Sequence, residues 1–122
     1  MTDKKRSGMA VRREILGDGY VDRAEASRTP LSDEFQDLIT RYAWGEIWTR
    51  PGLDRRTRSC ITVAMLVALN RNEELALHMR AALTNGVTVD ELKEILLQAT
   101  IYCGVPAGNT AFGVAAKVLA EG

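Results

Sequence analysis

Residues 60–69 read Cys60-Ile61-Thr62-Val63-Ala64-Met65-Leu66-Val67-Ala68-Leu69. Nothing in the stretch alternates with period two, and Asp54 stands where it can cap a helix that runs through it. Such a helix is apolar on nearly every side, which calls for burial all round. A single chain of 122 residues supplies few covering helices, so part of the cover is expected from another subunit.

The helical period recurs in both directions. Downstream, Asn72 is placed to cap a helix through Leu75, Met79, Ala82 and Leu83, closed by Asn85-Gly86. Thr88-Val89-Asp90-Glu91 has the form of a capping box, with Val87 and Leu92 as its hydrophobic staple. The helix it opens carries Leu92, Ile95, Leu96, Ala99 and Tyr102 inward and stops at Gly104. After Pro106 a last helix carries Ala111, Phe112, Val114, Ala115, Val118 and Leu119. Upstream, residues 4–16 form a charged helix ending at the turn signal Gly17-Asp18-Gly19, followed by a polar connection. Ser32 can then cap a helix lined on one side by Phe35, Leu38, Ile39, Tyr42 and Ala43, which runs into Trp44 and Trp48 and turns at Pro51-Gly52. The expected fold is all-α, about six helices in one domain spanning residues 1–122.

Sixteen Lys and Arg cancel sixteen Asp and Glu, so no global positive field favours nucleic acid or a membrane surface as partner. The cations are lopsided, twelve Arg to four Lys. Arg's planar fork suits a small anionic ligand, although gene base composition produces the same bias. Cys60 and Cys103 lie in apolar surroundings and read as reduced intracellular thiols. Val11 to Gly19 contains Arg, Glu and Asp where a signal peptide needs an apolar run, and Val63 to Leu69 is far short of the ~20 residues that span a bilayer. A cytoplasmic location is expected.

His78 is the single histidine, hence the obvious candidate for a group titrating near neutrality. Glu74 lies four residues before it on the same helical face and can orient or charge the imidazole, though such pairs also occur as ordinary surface or core neighbours. Arg50, Arg55, Arg56 and Arg58 cluster near the apolar helix. They either begin a solvated helix or hold carboxylates, with Arg58 nearest the apolar stretch. Trp44 and Trp48, one turn apart, either wall a pocket or anchor packing. Two separated Cys and one His cannot close a zinc site, and Gly104-Val105-Pro106-Ala107-Gly108 is neither a P-loop nor a dinucleotide fingerprint.

The segments Tyr42-Ala43-Trp44-Gly45-Glu46-Ile47-Trp48-Thr49-Arg50-Pro51-Gly52-Leu53-Asp54-Arg55-Arg56-Thr57-Arg58, Ala76-Leu77-His78 and Tyr102-Cys103-Gly104-Val105-Pro106-Ala107 resemble the carboxymuconolactone decarboxylase family. So do Arg12-Arg13-Glu14-Ile15-Leu16-Gly17 and Val21-Asp22-Arg23. The resemblance implies an alkylhydroperoxidase-D-like helical fold and a ring-like homo-oligomer, usually a hexamer. It also implies cofactor-free decarboxylation of 4-carboxymuconolactone in protocatechuate breakdown. On that reading His78 and Glu74 are catalytic, and Arg58, Arg71, Arg50 and Trp44 bind a dicarboxylate lactone. Peroxidases of the same superfamily carry a Glu, a Cys-x-x-Cys and a His; aligned on His78, those positions hold Ser59, Arg71 and Glu74. Without sulfur there, thiol peroxidase chemistry loses its low-pKa thiolate. Cys60 or Cys103 would have to replace it, and a non-catalytic binding module is the third alternative.

Overall fold

The computed structural model describes residues 2–121. The chain divides into two compact units, Met1–Leu53 and Asp54–Gly122. Every regular element among the described residues is helical, and none is long and apolar enough to cross a membrane.

The first unit holds α1 (Asp3–Leu16), α2 (Asp18–Ala26) and α3 (Asp33–Ile39), the last continuing into a π-helical segment, Thr40–Ile47. Alpha-helix α1 lies against that segment with little room between the backbones. A Cβ on Gly8 would collide with the Thr40 carbonyl oxygen, and one on Gly45 with that of Lys4. Glycine is required at this crossing for want of space, since both helices keep negative φ there. Buried Arg12 closes the unit, donating to Gln36 Oε1 at 3.2 Å and Thr40 Oγ1 at 3.5 Å. Arg28 binds Glu25 and Asp37, and Lys5 reaches Asp37 at 2.8 Å.

The second unit packs α4 (Arg55–Ala68), α5 (Asn72–Thr84), α6 (Val89–Cys103) and α7 (Val105–Ala120) around Val63, Val67, Leu75, Met79, Leu92 and Leu96. Asp54 caps α4, accepting from Thr57 N–H at 2.7 Å. The capping box is complete: Glu91 N–H donates to Thr88 Oγ1, and Thr88 N–H to Glu91 Oε1. Both staple residues, Val87 and Leu92, enter the core. Gly86 and Gly104 take the left-handed φ of 96° and 102° that the α5–α6 and α6–α7 joints need.

Several expectations change. Residues 18–26 are a helix, because Gly17 alone, at φ 89°, makes the joint and Asp18 opens the next helix at once. This raises the count to seven α-helices plus the π-helical segment. Ser32 stands at the head of α3 but does not cap it, since its hydroxyl is engaged with Thr29. Arg71, not Asn72, is the N-cap of α5, because Asn70 already makes the turn at φ 59°. Within the chain itself α4 is covered on one side, where Ser59, Val63 and Val67 are buried, while Ile61 and Met65 on its other side are exposed. Tyr102 points outward, off the Leu92, Leu96 and Ala99 stripe, and Phe112 and Leu119 are only part-covered.

Both tryptophans lie in the first unit, so their fluorescence reports its unfolding. Gly8→Ala should lower the unfolding free energy read by tryptophan emission in denaturant, and with it the midpoint, by about 1–3 kcal/mol of stability for an overpacked contact. An unchanged midpoint would show that the two helices do not meet backbone to backbone.

Candidate active site

Three of the candidate side chains share one stripe of α5. Arg71, Glu74 and His78 are spaced three and four residues apart, so they lie one above another along the helix. Arg71 is at the N-cap, about 10 Å along the axis from His78 at 1.5 Å per residue. His78 adjoins the buried residues Leu75, Met79 and Ala82, and is itself half-buried; Glu74 and Arg71 are exposed.

Burial holds the His78 imidazole below its ordinary basicity, and the Glu74 carboxylate opposes that shift without cancelling it. Near neutral pH the ring is therefore chiefly uncharged, with one nitrogen able to donate and the other to accept. A neutral N–H beside apolar surface is suited to an oxyanion, because its hydrogen bond is little screened there.

Helix α4 brings Arg58 to the same hairpin. The two helices pack side by side, and Asn85 Nδ2 donates to the wholly buried Ser59 Oγ at 3.0 Å. This bond sets the start of α4 beside the C-terminal end of α5. Arg58, next to Ser59, thus stands near one end of α5 and Arg71 at the other, with His78 between them. Arg58 is half-buried, as its place beside the apolar stretch led us to expect. Arg56 is engaged elsewhere: it pairs with Glu91, and its Nε donates to the Gly86 carbonyl at 3.4 Å. The Ser59–Asn85 and Arg56–Glu91 links were not read from the sequence. A glutamate in a capping box near an arginine cluster hints at the second; nothing local hints at the first.

Arg50 and Trp44 belong to the first unit. Arg50 is exposed just after the π-helical segment, and Trp44 is buried on it, stacked on Trp48 with ring centroids 5.3 Å apart at 27°. This geometry makes Trp44 a packing anchor within its own unit.

Both thiols face the groove between α4 and α6. Cys60 and Cys103 are unbridged and line a groove of ≈ 360 Å³ between α4 and α6, with Ile95, Ala64 and Ala99. The Arg56–Glu91 pair sets the two helix starts together, and Cys60 lies beside Ile95. Cys103 is eight residues beyond Ile95, hence about 12 Å further along, which is out of disulfide reach.

Residues 33–117 match the carboxymuconolactone decarboxylase family. The chain belongs to this family. It is 46% identical over 123 residues to the 4-carboxymuconolactone decarboxylase of Acinetobacter baylyi, covering 99% of this chain and 92% of that protein. It is 43% identical over 112 residues to a nitrosuccinic acid decarboxylase of Metarhizium robertsii, covering 92% and 78%. A 48-residue match, also 46% identical, covers 38% of this chain and all of a Pseudomonas putida 4-carboxymuconolactone decarboxylase sequence.

The depressed basicity of His78 has a consequence for stability. The folded state binds fewer protons than the unfolded state once pH falls towards the ordinary histidine value of 6.5. Stability contributed by neutral His78 is therefore present above that value and lost as pH falls through it. Between pH 7 and 5 the native protein should lose more stability in denaturant titrations than His78→Gln. Parallel curves would show that the ring is not desolvated.

Proposed function

We propose that this protein decarboxylates 4-carboxymuconolactone to β-ketoadipate enol-lactone in protocatechuate degradation, as a cytoplasmic homo-oligomer, a hexamer in the form the family resemblance implies. Its 122 residues act as one functional domain. The observation that carries the reading is full-length likeness to a relative named for this reaction. A second near-full-length relative, named for a different acid, is also a decarboxylase, which supports the reaction type independently of the ring.

The chemistry asks little of the protein beyond placement. The leaving carboxylate sits on a ring carbon conjugated, through a C=C bond, with the lactone carbonyl. When the C–C bond to the carboxylate breaks, its electron pair spreads into that carbonyl as a dienolate, CO₂ departs, and a proton returns to carbon. The substrate supplies its own electron sink, so neither pyridoxal nor thiamine is called for. The site must anchor the acetate arm, leave the departing carboxylate poorly solvated, and stabilise the oxyanion more than the ground-state carbonyl.

Each role falls to a residue of the α4–α5 hairpin. His78 donates to the developing oxyanion and delivers the proton as general acid. Glu74, one turn away, orients the ring and passes it a proton from water. Arg58 and Arg71, at opposite ends of α5, grip the two carboxylates.

A spectrophotometric assay with 4-carboxymuconolactone, generated enzymatically from carboxymuconate, tests the reading. His78→Gln should remain folded and lose ~10²-fold or more in kcat. Arg58→Ala and Arg71→Ala should act mainly on KM, raising it ~10-fold or more if each removes a charge-assisted contact. Near-normal turnover of soluble His78→Gln would remove the assignment of the imidazole. Activity abolished by thiol alkylation but indifferent to His78 would favour the peroxidase alternative.

A further inference from the structure

The stripe of α4 that faces the core is apolar except at one place. Val63 and Val67 are hydrophobic, but Ser59, one turn earlier on the same stripe, brings a hydroxyl into full burial. Burying a hydroxyl costs free energy that a small apolar side chain would not, unless a partner compensates it. That partner is Asn85, whose Nδ2 donates to Ser59 Oγ at 3.0 Å. The backbone asks for an asparagine no more than the core asks for a serine. Asn85 follows α5 at φ −84°, a value open to any residue, and Gly86 supplies the left-handed turn. Both residue types are therefore accounted for by the bond they make to each other, 26 residues apart in the chain.

The bond fixes how far α4 is rotated about its own axis. At about 3.6 residues per turn, neighbours on a helix lie about 100° apart, so Arg58 and Cys60 point to opposite flanks of Ser59. Cys60 faces α6 across the groove it shares with Ile95 and Ala99. Arg58 consequently occupies the flank away from α6, where it is half-buried. Three residues before Ser59, Arg56 pairs with Glu91 and donates to the Gly86 carbonyl. Both side chains of that pair reach solvent, which weakens it and leaves the rotation to the buried bond. With side chains reaching about 5–6 Å from the axis, a rotation of about 20° displaces the Arg58 guanidinium by about 2 Å. Bidentate grip of a carboxylate does not tolerate an error of that size.

We infer that Ser59 and Asn85 are positioning residues for the decarboxylation: their bond sets the rotation of α4 and so holds Arg58 where it grips a substrate carboxylate. The inference rests on the reading of Arg58 given above and adds the pair that aims it. Both residues act through Arg58 and not on the reacting atoms.

Steady-state kinetics with 4-carboxymuconolactone test it on Asn85→Ala and Ser59→Ala, each in the native chain and in Arg58→Ala. In the native chain either replacement should raise KM roughly 3- to 10-fold and leave kcat within about twofold, because His78 is untouched. In the Arg58→Ala background neither should raise KM further, since residues that act through a third are not additive with its loss. Val118→Ala, a core truncation on α7, should keep the native KM although it lowers stability. Circular dichroism at the assay temperature checks that each variant is folded. Ser59→Ala is the milder of the two, because it puts a methyl into the core and leaves the part-exposed Asn85 to water. A KM unmoved by Ser59→Ala, raised equally with and without Arg58, or matched by Val118→Ala would overturn the assignment and leave the decarboxylase reading standing. A native chain that does not convert the lactone would overturn both.

Discussion

A helix can bury only the side that another helix covers, and this constraint governs the second unit. Its four helices, 13 to 16 residues each, meet along single stripes: Ser59, Val63 and Val67 of α4 against Leu75, Met79 and Ala82 of α5, closed by Leu92, Leu96 and Ala99 of α6. Everything outside those stripes is left to water or to another surface. His78 sits at the margin of one stripe, close enough to lose much of its hydration while Glu74 keeps its own. The outer sides of α4 and α6 are left over in the same way, although their residues are as apolar as those inside.

This explains where the sequence was legible. Boundaries written in local chemistry were read directly: the Asp54 cap, the Thr88–Glu91 box, and the left-handed glycines at 86 and 104 need only their neighbours in the chain. The first unit was harder, since its contacts are made by glycine backbones and an arginine network. Gly8 and Gly45 look like helix weakeners until they are seen to face each other's helices. The Gly17-Asp18-Gly19 run has the composition of a turn, yet one residue of it suffices. The π-helical segment, where Trp48 N–H bonds to Ala43 carbonyl at 3.0 Å, leaves no mark in periodicity that an ordinary helix would not.

The candidate site was legible in kind more than in geometry. A lone histidine with a glutamate one turn before it is visible in any reading, and the shared stripe with Arg71 follows from spacing. Among the four arginines of the cluster the sequence favours Arg58 for its place beside the apolar stretch, whereas what engages Arg56 and positions Arg58 needed tertiary facts. Arg56 is tied to Glu91 and the Gly86 carbonyl, and Arg58 gains its position from the Ser59–Asn85 bond across 26 residues of sequence.

Along α5 the environment grades from wet to dry within two turns, and that gradient is what the proposed reaction requires. Arg71 and Glu74 stand in water, where an ion pair contributes little by itself but a dicarboxylate can be collected and oriented. His78 stands where hydration is already reduced. A carboxylate held at that end is destabilised relative to CO₂, which carries no charge, whereas the dienolate spreads its charge towards a donor that is already in place. The same donor in open water would serve both states alike and lower no barrier. Placing the imidazole at the margin of the core, rather than on the exposed crest of its helix, is thus the step by which packing becomes chemistry.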